Sequence, residues 1–348
     1  MKPINLITAA FATLTMATGA FAQANLTAET VSPGGATYLS LAHLTEVAGT
    51  NGVASIQLAD GQTLTNSIQN VAEGKTDIAG TPYILPFLMS RGVGPYGSLG
   101  KEQGKELAGN LRAINPFVLG IFFLFAYDAK AVDGWDDLKG RKIYNGPPRG
   151  GALTNARSMI QIVAGLKEGD DYEGLQINWG QGTTLVTSGE PDAVVLPELF
   201  PSSRLTAVTA AGKMTGWSMP KTAYESDAMQ KYINAPGSAP FTWPVADLEA
   251  VMGDDWTFIS EDDTFRAFAT IGGNVVHKDM DDALVKDLVA TYISTLDDLM
   301  AKAPFGQSVG FNFPMQGMCG ANPVQYHPAA AQAWRDAGFE LDDCAVAN

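Results

Sequence analysis

"ASIQLADGQTLTNSIQNVAEGKTDIAG", residues 54–80, is the stretch whose reading decides the fold class. It begins with a short apolar run, and Asp60-Gly61 then supplies a turn. Leu64, Ile68 and Val71 recur at helical spacing, which puts them on one face. Gly74 ends that helix, and "TDIAG" opens a second buried strand. A strand, a helix and a strand in so short a span make a βαβ unit, whose strands run parallel.

The same grammar recurs on both sides. Upstream, Gly34 and Gly35 in "SPGGATYLSLAHLTEVAG" (32–49) precede a helical pattern through Leu39, Leu41 and Leu44. The strand before it, "NLTAETVS", is weakly apolar. Downstream, "RKIYNG" reads as a strand, "NGPPRGGALTNARSMI" (145–160) as a Gly-rich turn entering a helix, and "LQINWG", "QGTTLVTSG" and "PDAVVLPE" as strand, helix and strand. "PFVLGIFFLFAY" (116–127) is a buried strand interrupted by Gly120 and too short to cross a bilayer. "NAPGSAPFTWP" (234–244) reads as a loop, and "MDDALVKDLVATYISTLDDLM" (280–300) as one amphipathic helix. In sheets of this kind ligands sit at the carboxyl ends of the strands, where helix N-termini offer free N–H groups to an anion.

The ends of the chain carry their own signals. Lys2 is followed by an uncharged run closing on Ala22-Gln23-Ala24, the form of a secretory signal peptide cleaved after residue 24, with Ala20-Phe21-Ala22 as the alternative site. The expectation is an exported, periplasmic chain without a lipid anchor and without direct membrane insertion. In that oxidising compartment Cys319 and Cys344 point to a disulfide, two unpaired thiols being the alternative. A formal charge of −15 excludes nucleic acid and anionic membrane surfaces as partners, though a local cleft can still be positive.

Enzymatic constellations are missing from the sequence. His43, His277 and His327 are scattered, and there is no G-x-S-x-G, H-E-x-x-H or P-loop lysine. "GVGPYG" (92–97) has the G-x-G-x-x-G form but follows no clear strand, so it reads as a flexible loop. The chain is read as a non-enzyme needing no metal or cofactor.

Four blocks, in order, resemble the TAXI solute-binding proteins of tripartite ATP-independent periplasmic (TRAP) transporters: "GGATY" (34–38), "DGQTLTNSIQNVAEGKTDIA" (60–79), "DLKGRKIYNGPPRGGALTNARSMI" (137–160) and "YHPAAAQAWRDAGF" (326–339). Departures are Gln62 where the family has Ser, and Arg149-Gly150-Gly151 where it has Gly-Ser-Gly. The resemblance implies an α/β, two-lobe type II periplasmic binding-protein fold with a hinge and an interlobe cleft. It also implies a permease partner driven by an ion gradient. After the signal peptide (1–24), lobe 1 is read as 25–111 with 214–348, and lobe 2 as 112–213. A small organic acid such as glutamate, a dicarboxylate or an oxo acid is the expected ligand, and a monomer the expected state. A sensor presenting its solute to a membrane signalling partner is the alternative function.

The candidate ligand residues follow from these turns. Arg149 offers a guanidinium fork beside a helix N-terminus, suited to a carboxylate, against the alternative of a solvent-facing arginine. Gly35, Gly61, Gly150 and Gly151 would bring backbone close to the solute. Tyr38, Tyr83, Tyr144 and Trp179 would wall the pocket. Thr37, Thr63, Asn66, Thr81 and Thr154 would give neutral hydrogen bonds, with helix capping as their alternative. Glu198 would receive a ligand amine or sit at the hinge or rim.

Overall fold

The computed structural model describes residues 23–148, 151–319 and 324–347. The expected signal peptide therefore falls outside the described residues, save its last two positions. Among the described residues twelve strands join in one mixed sheet: β1 (Ala24–Glu29), β2 (Ala54–Ala59), β3 (Ile78–Pro82), β4 (Leu111–Tyr127), β5 (Lys142–Tyr144), β6 (Glu173–Leu175), β7 (Ala193–Glu198), β8 (Met214–Trp217), β9 (Ser238–Pro244), β10 (Trp256–Ile259), β11 (Thr264–His277) and β12 (Gln325–Tyr326). The helices nearest the strand ends are α1 (Ala36–Thr50), α2 (Leu64–Ala72), α3 (Ile84–Arg91), α4 (Gly100–Gly109), α5 (Gly151–Ala164), α6 (Trp179–Thr187) and α7 (Ser203–Thr209). The class is α/β, as read from the sequence.

The strand order β2-β1-β3-β11-β4-β7-β5-β6 contains one pattern twice. In the first half β1 lies between β2 and β3, all parallel, and β3 meets the antiparallel β11. In the second half β5 lies between β6 and β7, all parallel, and β7 meets the antiparallel β4. Each half is a pair of βαβ units closed by a long antiparallel strand.

β4 and β11 pair with each other and run through both halves. β4 begins beside β12 at Arg112 and Ala113, and beyond Gly120 it pairs with β7 and β8. Gly120 does not interrupt the strand. A Cβ there would lie 2.8 Å from Cβ of Pro197, so glycine is what lets β7 approach. The register between β4 and β11 shifts at this point, between Thr270 and Ile271, and the Thr270 hydroxyl donates to the Gly120 carbonyl at 3.2 Å.

Alternation along the strands divides the core. Phe122, Leu124, Ala126, Ile143, Ala193 and Val195 face a second cluster with Trp135, Met159, Trp217, Met229, Ile233 and Phe268. Phe123, Phe125, Tyr144, Val194 and Leu196 face the main cluster, which continues into the first half. The Phe122 and Phe268 rings stack 4.8 Å apart, which adds about 1 kcal/mol to their burial. Residues 214–269 thus pack with the second half, because β8 extends the far end of β4 and Phe268 belongs to the second core.

Three local expectations change. Residues 238–244 form β9 rather than a loop, paired with β11 from Ser238↔Thr270 to Pro244↔Thr264. Only one side of β9 is paired among the described residues, and an edge strand accommodates Pro240 and Pro244. The helix expected over 280–300 breaks at Thr295 into Asp282–Ser294 and Leu296–Lys302, where the Thr295 hydroxyl turns back to the Thr291 carbonyl at 2.9 Å. "GVGPYG" is not a loop throughout, since Gly94–Leu99 winds into a 3-10 helix. β1, weak in sequence, needs only Leu26 and Ala28 facing inward. Its exposed Thr27 is held by Asp77, which accepts the backbone N–H at 2.7 Å and the hydroxyl at 2.9 Å.

Cys319 and Cys344 are bonded, tying the tail to the segment after the helix Gly306–Val309. No helix among the described residues is long and apolar enough to cross a membrane.

Replacing Cys319 and Cys344 by Ser is expected to cost about 3 kcal/mol of unfolding free energy in urea, and reduction of the native protein should reproduce that loss. Gly273→Ala is expected to cost about 1–3 kcal/mol by the same assay, because its Cβ would strike the Tyr83 hydroxyl and the Asn115 carbonyl.

Candidate functional site

The carboxyl ends of β1, β2 and β3 bring several candidates together. Thr30, just past β1, donates its hydroxyl to the Thr37 carbonyl at 3.2 Å, and its own carbonyl accepts from Gln62 N at 2.9 Å. A buried threonine thus joins the start of α1 to the turn after β2. Gly61 has φ +66° and sits beside Ser32, a conformation glycine adopts without strain. Gly35 precedes α1 in extended conformation, and the Thr37 methyl packs against Gly80 next to Thr81. Thr37 and Thr81 are both buried.

The remaining first-half candidates are scattered. Thr63 stands at the start of α2 but makes no side-chain cap bond, and both it and Asn66 are exposed. Tyr38 is half-buried within α1. Tyr83 is wholly buried, packed on Gly273, with no hydroxyl partner among the described residues. Burial pushes its phenol far above the usual tyrosine range. It is a core residue rather than a pocket wall.

In the second half, Tyr144, Trp179 and Glu198 meet in one small cavity, together with Gly182, Leu196 and Arg204. Its interior of about 20 Å³ is room for a water. Tyr144 ends β5, Trp179 begins α6 and Glu198 ends β7, so topology alone assembles them. Glu198 is 3% exposed and already engaged. Its Oε1 accepts from Arg204 Nε at 2.8 Å and its Oε2 from the Ser202 hydroxyl at 2.9 Å. Burial pushes its carboxyl up, against the pull of Arg204. The Arg204 guanidinium lies 4.7 Å over the Trp179 ring. Glu198 therefore serves an arginine rather than standing free for a ligand amine.

Arg149 and Gly150 lie outside the described residues. The described chain leaves β5 at Asn145, which is wholly buried. Asn145 donates to Glu168, which also accepts from Arg157 Nε at 2.9 Å and from Gln176 at 3.3 Å. Arg157, then burial in opposition, then Asn145 set the Glu168 carboxyl below the usual carboxylate range. Gly151 and Thr154, in the first turn of α5, are exposed. Thr30, Asn145, Glu168 and Arg204 escaped the sequence reading. Only Arg204 left a trace there, six residues beyond Glu198 and just after the capping serine Ser202.

Two of the histidines make structural contacts. His43 meets the Thr295 hydroxyl at 2.9 Å, and His327 caps the helix Pro328–Asp336 by accepting from Ala329 N. Burial lowers the affinity of both for a proton.

The fold is thus an α/β arrangement of two like halves sharing two long strands, with polar residues gathered at the strand ends. The chain belongs to the NMT1-like family, which it matches over residues 28–338. No curated protein matches it. Similar solved structures include the periplasmic aliphatic sulphonate binding protein SsuA from Escherichia coli, with a TM-score of 0.44, 12% identity, and coverage of 89% of this chain and 78% of that one. CAE31940 from Bordetella bronchiseptica RB50 gives 0.43, 16%, 92% and 91%. A nutrient binding protein from Burkholderia cenocepacia bound to methionine gives 0.42, 13%, 82% and 98%.

Glu168→Gln is expected to cost about 1 kcal/mol at neutral pH, a figure kept small because Arg157 is half exposed. A carboxyl whose value is lowered by folding stabilises fully above its unfolded value of 4.5, and that contribution disappears as pH falls through the folded value. Urea unfolding from pH 7 to pH 3 should therefore show a shallower acid limb in Glu168→Gln than in the native protein.

Proposed function

We propose that the protein is an extracytoplasmic solute-binding protein that captures a small organic acid between two lobes. Glutamate, a dicarboxylate or an oxo acid is the class of solute, and a TRAP-type permease is the partner that receives it. The observation that carries the reading is the repeated strand order in two halves tied through β4 and β11. Such halves can tilt about shared strands while their loops close on a solute. The strand-end groups described above supply hydroxyl and backbone groups on the first side and aromatic surface with an arginine on the second, the kinds of group small-molecule sites use.

Under this reading the lobes divide where the long strands cross, near Gly120 and Thr270. Residues 121–269 then form the second lobe, in place of the 112–213 division read from the sequence. The packing of Trp217, Met219, Met229 and Ile233 with the second core supports that boundary. Capture needs no covalent chemistry. Residues 1–24 would direct export to the periplasm and be removed.

Thermal unfolding of the mature protein, refolded to strip any bound solute, tests this reading against a panel of small acids, amino acids and sugars. A solute at a hundredfold its dissociation constant should add about 2.7 kcal/mol of stability. The expected outcome is a shift confined to acids. A shift with sugars alone would discard the anion, and no shift with any member would overturn the binding reading.

A further inference from the structure

We infer that Arg204, stacked on Trp179 and held by Glu198, is the cationic anchor for the solute's acid group. The inference rests on the organic-acid reading above and names the residue that would carry its charge recognition.

The argument begins with how the guanidinium is held. Glu198 accepts from Nε at 2.8 Å and the Pro197 carbonyl accepts from Nη2 at 3.3 Å. Both contacts use the same edge of the fork. Arginine has five N–H donors in a fixed plane, so the outer end, formed by Nη1 and the other Nη2 hydrogen, keeps three. No partner for that end occurs among the described residues. It is the edge that matches a carboxylate in two parallel hydrogen bonds.

Burial adds direction to the pair. The Glu198 side chain is 3% exposed, whereas that of Arg204 is 41% exposed. A buried carboxylate is costly unless fully bonded, and Ser202 and Arg204 satisfy its two oxygens. Glu198 is thus a positioning residue beneath an arginine that faces outward. Trp179, itself 38% exposed, flanks the guanidinium at the start of α6, and Tyr144 lies in the same cavity at the end of β5. The guanidinium is fixed in plane and orientation before any solute arrives, which lowers the entropy cost of binding.

Isothermal titration with L-glutamate, succinate and 2-oxoglutarate, and with neutral succinamide as control, tests the inference on the mature protein. Arg204→Gln should weaken the acid that binds native protein by about 30-fold, the range of a lost charge-assisted pair, and Arg149→Gln should weaken it less. Glu198→Gln should weaken it severalfold, with Glu198→Asp restoring part of the loss. Arg204→Lys, which keeps the charge and loses the fork, should still cost about tenfold, and it serves if the Gln variant unfolds. Binding by Arg204→Gln within about threefold of native, or by Arg204→Lys equal to native, would overturn the anchor and leave the organic-acid reading standing. Native protein that binds succinamide as well as succinate, or no acid at millimolar concentration, would overturn both.

Discussion

The antiparallel pairing of β4 with β11 is the constraint on which the rest of the structure depends. A strand of 17 residues spans roughly 55 Å, far more than one half of the sheet needs. β11 closes the first half through β3 and β4 closes the second through β7, so the pairing of β11 with β4 is what joins the two halves into one sheet. The point of exchange is narrow. Gly120 admits Pro197, the register slips beside Thr270, and beyond it Phe122 and Phe268 stack to lock the far side. A side chain at Gly120 would push β7 away and disturb the strand on which Glu198 sits.

That seam also decides which polar residues meet. Parallel strands on either side end at one edge of each half, so turns distant in sequence become neighbours. At the first-half edge the work is done by backbone and small hydroxyls, with Thr30 linking two turns. At the second-half edge it is done by charge. Glu198 is buried because β7 runs into the main core, and a carboxylate there must be bonded. The same requirement, met through Arg157, Asn145 and Gln176, anchors Glu168 beside the end of β5. Two buried or half-buried carboxylates thus tie down the strand ends on this side.

Much of this was legible in the chain. The βαβ units of residues 24–82 and 142–198 stand out because their helices repeat apolar residues at helical spacing and their turns carry glycine. The pairing of Cys319 with Cys344 was one of two readings and is the one observed. Among candidate site residues, Tyr144, Trp179 and Glu198 could be picked out as lying at strand ends, and they share one cavity. Tyr83 looked the same in sequence yet is a core residue, since its burial depends on Gly273 in a strand nearly two hundred positions away. β9 was hidden because its prolines read as loop, a reading that holds only where both edges of a strand are paired.

The sequence by itself determined the class of the fold, the parallel units and the positions of most turns, because hydrophobic period and glycine placement are local signals. Tertiary structure alone decided where the two halves join, that Glu198 is spent on Arg204, and that Arg204 rather than Glu198 faces outward. These are outcomes of long-range pairing and burial. A side chain's free valence depends on which distant groups desolvate it, and no spacing along the chain records that.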